Sequence, residues 1–161
     1  MKHWNLHLAG AAQLRGDSLT LRKQELTLSG SVPELQKTLS ALPGFPDAGF
    51  ERFRRSSSHA KAHLIAASAA MYDAGLPRGG NLAVLSCGSH EQNLAYYHDY
   101  LEFGRTLGRG HLFVGTIPTT AMCEAAILLE AHGPAYYLDT AGDLNKLLEE
   151  VELLLADDET I

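Results

Sequence analysis

Cysteine is almost missing from this chain, with Cys87 and Cys123 the only two among 161 residues. They lie in different predicted elements and form neither a Cys-x-x-Cys pair nor another zinc spacing, so a disulfide scaffold and a structural zinc cluster are both excluded. Reduced thiols in a cytoplasmic protein are the expectation. Long apolar runs are missing too: nothing approaches the roughly 18 residues a membrane span requires. The opening "MKHWNLHLAG" breaks up at His7 and is followed by no cleavage site. Basic charge is the third deficit. Thirteen Lys and Arg stand against 19 Asp and Glu, a net charge of −6, which is the wrong sign for counterion-driven binding to nucleic acid. There is no internal repeat and no low-complexity segment. The hydrophobic content of 45% suffices for a core, so residues 1–161 are expected to form a single domain.

What is present alternates between two periodicities. Trp4, Leu6 and Leu8 alternate with polar residues, predicting a first strand, and Ser18 to Leu28 alternate more weakly. Val32, Leu35, Leu39 and Leu42 are spaced helically, with Pro33 at the helix start. The Pro-, Gly- and Ser-rich stretch from Pro43 reads as a loop within the domain. From His59 to Ala74 an alanine-rich helix is predicted, with Ser56 to Ser58 as N-cap candidates and Gly75 as its stop. Its small side chains permit close approach to a neighbour.

The run Leu82 to Leu85, between glycines, predicts a strand buried on both faces, hence a parallel sheet covered by helices. A helix from Glu91 to Phe103 follows, with Leu94, Tyr97 and Leu101 on one side. "LFVG" predicts a short strand, Ala121, Ala125, Leu128 and Leu129 a helix closed by Gly133, and "AYYLD" another strand. The last helix, from Asp143, aligns Leu144, Leu147, Leu148, Val151 and Leu154 or Leu155. Strands alternating with helices imply a layered α/β domain.

Three stretches in this order, "AMYDAGL", "NLAVLSCGS" and "TIPTTAMCEAAILLEAHGPAYYLDTAG", resemble the N-terminal half of a β-ketoacyl synthase, a condensing enzyme of the thiolase-like fold. The similarity runs from about Ser56 to Gly142, and the first fifty residues match loosely. Its most specific piece is Gly133-Pro134, four residues, then Asp139-Thr140-Ala141. In the family that phrase continues into the nucleophilic cysteine and a run of serines. Here the cysteine position is Gly142, and Asp143, Leu144 and Asn145 stand where the serines would. A glycine has no side chain to hold an acyl group, so the covalent intermediate cannot form there. The family also takes two histidines, or a histidine and a lysine, from its C-terminal half, a half this chain is expected to lack.

Other residues offer alternatives. Cys87 and His90 follow a predicted strand, where α/β folds gather functional groups, and a Cys-His pair can be nucleophilic. Cys123, inside a helix, reads as core. His59 and His63 stand four apart on one helix face, as two metal ligands would, with His90, His98 or Glu91 as possible thirds. A solvated pair is the expectation. Gly79-Gly80 and Gly108 to Gly110 are turn punctuation without the spacing of a phosphate loop, and Tyr96, Tyr97 and Tyr100 read as packing.

The resemblance implies a three-layer thiolase-like half-domain, a mixed or mostly parallel sheet with helices on both faces. It implies a non-catalytic ketosynthase-like protein without cofactor, a structural or regulatory partner in fatty-acid or polyketide-type biosynthesis. The alternative is a small acyl-thioester-handling enzyme using Cys87 and His90. The implied partners are a second copy or a complete ketosynthase, with acyl carrier protein as a further candidate. Condensing enzymes pair through the strand before their nucleophile, which places the dimer interface here at Ala135, Tyr136, Tyr137, Leu138 and Asp139.

Overall fold

The structure, a computed structural model, describes residues 6–45, 50, 56–87, 91–104, 113–114, 116–140 and 143–157. Three short strands open it: β1 (Ala12–Arg15), β2 (Ser18–Leu21) and β3 (Leu26–Ser29) form an antiparallel meander. The first strand lies later than the N-terminal alternation predicts. Trp4 is outside the described residues, and 6–11 are irregular. Gly16, at φ 57°, supplies the left-handed turn that folds β1 back on β2, placing Leu14 opposite Leu19. The weak alternation after Ser18 is thus two strands, joined through Glu25 at φ 50°.

Helix α1 (Val32–Ser40) starts as Pro33 predicts. The Glu34 carboxylate reaches back to accept the Ser31 hydroxyl at 2.6 Å and its backbone N–H at 2.7 Å. Helix α2 (Ser58–Ala74) is capped by Ser57, whose Oγ accepts the Ala60 N–H at 3.2 Å, and ends at Gly75 in the left-handed conformation, φ 70°. One stripe of α2, from Ala60 through Leu64, Ile65, Ser68 and Ala69 to Asp73, is buried. It meets Leu19 and Leu21 of the meander and Leu35 and Leu39 of α1 in the core, with Phe45 closing one end against Phe50 and Tyr72.

The second half is built on β4 (Val84–Ser86), α3 (Glu91–Phe103), α4 (Thr120–Leu128), β5 (Ala135–Tyr137) and α5 (Leu144–Asp157). Strands β4 and β5 pair in parallel, Val84 opposite Ala135 and Ser86 opposite Tyr137. Helix α4 packs on both strands and against α2, adding Ala125 and Leu128 to the core. The chain is therefore α/β, with its strands in one small antiparallel and one small parallel sheet.

Several expectations change. Strand β4 is half-buried along its length, not enclosed on both faces. Phe113 and Val114 are helical instead of extended, because Thr116 and Thr120 draw their carbonyls into turns: Thr116 donates its backbone N–H at 3.0 Å and its hydroxyl at 2.7 Å to the Phe113 carbonyl, and the Thr120 hydroxyl donates to that of Val114 at 3.0 Å. Helix α4 ends before Gly133, with Glu130 at φ 54° reversing the chain. The Arg78 guanidinium holds that end, donating to the Leu128 carbonyl at 3.2 Å and pairing with Glu130 at 3.3 Å. Gly133 instead permits a close backbone approach. A Cβ there would lie 2.8 Å from the Leu82 carbonyl oxygen, so glycine lets the chain enter β5 alongside β4.

Candidate functional site

The carboxyl end of the β4–β5 pair is where the chemistry-bearing residues gather. Ser86 ends β4, Cys87 follows it, and His63 reaches the same place from the middle of α2. Nε2 of His63 lies 3.4 Å from Oγ of Ser86. One turn earlier, His59 stacks its ring against that of His63, centroids 4.6 Å apart and tilted by 55°. The shared helix face expected of the two histidines is present. The expected solvation is not, for His63: the imidazole is half-buried and engaged with Ser86.

Burial pushes the His63 pKa below its ordinary value, and the neighbouring His59 pushes it the same way. A hydrogen bond with the His59 backbone opposes them in part. The imidazole is therefore neutral at pH 7, with one nitrogen lone pair free to accept a proton.

The other candidates divide. Cys87 is a half-buried free thiol. His90, its expected partner, lies outside the described residues, as do Gly142, the position at which the resemblance would put a nucleophile, and Gly108 to Gly110. Among the described residues, no group of three or more His, Cys, Asp or Glu could hold a metal ion. His59 and His63 lack a third ligand there: His98 lies beside the Tyr97 ring, 6.3 Å between centroids, and is exposed. Cys123 is exposed, not core. Helix α4 buries Ala121, Met122, Ala125 and Leu128, which leaves position 123 on the far side. The tyrosine stripe of α3 is packed only in part. Tyr97 is 56% and Tyr100 40% exposed, while Tyr96 meets Phe113 edge-on at 6.0 Å.

The proposed pairing strand is β5. Ala135, Tyr136 and Asp139 are exposed, and Tyr137 and Leu138 are half-buried. The Leu138 N–H is engaged within the chain, donating to the Ser86 carbonyl at 2.9 Å. Thr140, just beyond, is buried, and its Oγ1 has no hydrogen-bond partner among the described residues.

Sequence reasoning overlooked Asp73. Its side chain is buried near the end of α2, where Oδ2 accepts the backbone N–H of Ala11 at 2.8 Å and of Lys23 at 3.0 Å, and Oδ1 accepts that of Gln24 at 2.9 Å. Burial disfavours the carboxylate, but the three backbone donors and the Lys23 charge outweigh it and hold its pKa below the ordinary value. A cleft lined by His7, Arg22 and Lys23 reaches this residue. Both carboxylate oxygens already serve the backbone, so Asp73 is a structural clamp between helix and meander. The only hint in sequence was a carboxylate in an alanine-rich helix, two residues before its glycine stop.

Comparison with protein-family models and with curated proteins returns no match. No helix among the described residues is long and apolar enough to cross a membrane.

Proposed function

We propose that the chain is a ketosynthase-like partner protein without condensing activity, a structural or regulatory component of fatty-acid or polyketide-type biosynthesis built as a three-layer thiolase-like half-domain. The observation that supports this reading is the uneven placement of apolar side chains. The core is drawn from the meander, α1, α2 and α4. By contrast, Leu94, Tyr97 and Leu101 of α3, Tyr136 of β5, and Leu144, Leu153 and Leu155 of α5 are exposed. Large exposed apolar residues concentrated on particular elements mark a protein interface. The partner is a second copy or a complete ketosynthase, in a cytoplasmic setting where acyl carrier protein is a further candidate.

Two measurements test this reading. Light scattering on the purified chain reports its mass, and sedimentation with a complete ketosynthase or acyl carrier protein reports mixed complexes. A monomer that binds neither would overturn it. Incubation with malonyl and acyl thioesters should give no 3-oxoacyl product, since Gly142 offers no nucleophile. Gly142→Cys should not restore condensation, because a thiol without a base and an oxyanion site lacks most of the machinery.

A further inference from the structure

The geometry points to a second chemistry, unrelated to condensation: Ser86 and His63 form a nucleophile and general-base pair that takes an acyl group from an ester or thioester. The inference is independent of the partner role.

Three observations carry it. The first is the contact itself, Ser86 Oγ to His63 Nε2 at 3.4 Å, between a residue ending a strand and one held in a helix more than twenty positions earlier. Catalytic hydrogen bonds of this length in an unliganded protein tighten when substrate arrives. The second is orientation. The His63 ring lies against that of His59, one helical turn away, with centroids 4.6 Å apart and planes tilted by 55°. With Nε2 at the Ser86 hydroxyl, the tautomer protonated at Nδ1 presents the Nε2 lone pair to the serine. The neighbouring His59 ring then limits how the imidazole can turn, the orienting part that a carboxylate plays in a serine–histidine–aspartate triad. The third is place. The pair stands at the carboxyl end of parallel strands, where α/β folds bind ligands. The chain leaving the neighbouring strand places the buried Thr140 hydroxyl, without a partner among the described residues, three positions past the residue opposite Ser86.

The chemistry balances with water as the only co-reactant. Ser86 Oγ attacks the acyl carbonyl carbon as its proton passes to His63 Nε2. The carbon–sulfur or carbon–oxygen bond breaks, and the leaving thiolate or alkoxide takes that proton, leaving an acyl ester on Ser86. Water then attacks the ester, His63 takes its proton and returns it to Ser86 Oγ, and a carboxylic acid departs.

A fluorophosphonate probe and an S-acyl pantetheine thioester test this on the intact chain. The expected result is covalent modification at Ser86, mapped by peptide mass spectrometry on the unaltered protein, so that no misfolded variant clouds it. Modification should vanish in Ser86→Ala, persist in Cys87→Ala, and slow on the order of 100-fold in His63→Gln. In the unaltered protein its rate should rise with pH through the His63 titration, a dependence that His63→Gln removes. A Ser86 that stays unmodified in folded protein overturns the proposal. So does labelling that follows Cys87, or a rate indifferent to His63→Gln.

Discussion

Lys23 is bound to Asp73 through its backbone: its N–H donates to Oδ2 at 3.0 Å, while its ammonium reaches past the carboxylate to the Ala74 carbonyl at 3.3 Å. One buried carboxylate thus satisfies three backbone donors from two separate stretches, residue 11 and residues 23–24, and fixes the meander to the end of α2. Asp73→Ala should cost about 3 kcal/mol, since it strands buried donors that bond to a charged group. Urea unfolding of the two proteins measures this. The acid limb gives an independent check. With its folded pKa below the ordinary 3.8, Asp73 contributes stability that is complete above that value and is lost as pH falls through the lower folded one. Asp73→Asn should flatten that part of the curve, and an unchanged acid limb would count against the clamp.

Gly10 marks the other side of the same junction. A Cβ there would lie 2.6 Å from the Ala74 Cα and 2.9 Å from the Ala70 carbonyl oxygen, both backbone atoms of a helix that cannot yield locally. Gly10→Ala should destabilise by about 1–3 kcal/mol, the usual range for overpacking. An unshifted thermal midpoint would show that the meander does not pack on α2 this closely.

The helices were the legible part of this sequence. Helix α2 falls within one residue of its expected start because Ser57 and Gly75 are local signals, and α3 runs from Glu91 to Phe103 as its spacing indicates. The short strands were harder, since four residues carry little periodicity. β1 and β2 are defined by the turn at Gly16 more than by alternation. At the candidate site the sequence placed His59 and His63 on one face and set Cys87 after a strand. It could not show that Ser86 meets His63, because that contact joins residues 23 positions apart that are brought together by the packing of both α2 and β4 on α4. Asp73 was hidden for the same reason: its partners are backbone groups, which leave no trace in residue identity.

Burial of His63, with His59 beside it, makes stability depend on pH near neutrality. The His63 pKa is lowered in the folded chain from its ordinary 6.5, so the unfolded chain binds a proton first as pH falls. Stability should therefore be full above about 6.5 and decline between that value and the lower folded pKa. His63→Gln keeps a polar group without the titration. Stability curves of the two proteins should diverge with pH across this window, and a constant difference from about pH 8 to pH 5 would place the slope on other histidines.

The hydrogen-bond direction along β5 dictates how its proposed role in pairing is best tested. The Pro134 carbonyl accepts from Val84 and the Leu138 N–H donates to Ser86, so the even-numbered positions of the strand face β4. In a parallel ladder the intervening residues turn their backbone groups the other way, which puts the Ala135 N–H on the outer edge. Leu138→Pro would therefore break the chain's own sheet and say little about a dimer. Ala135→Pro removes an outer donor and leaves the β4 ladder whole, and Pro134 before it, with φ fixed by its ring, can take the extended backbone that a residue preceding proline requires. If two copies pair edge to edge through this strand, Ala135→Pro should convert the dimer mass to a monomer mass in light scattering while the circular dichroism spectrum stays unchanged. A dimer that survives Ala135→Pro would move the interface to the exposed leucines of α3 or α5.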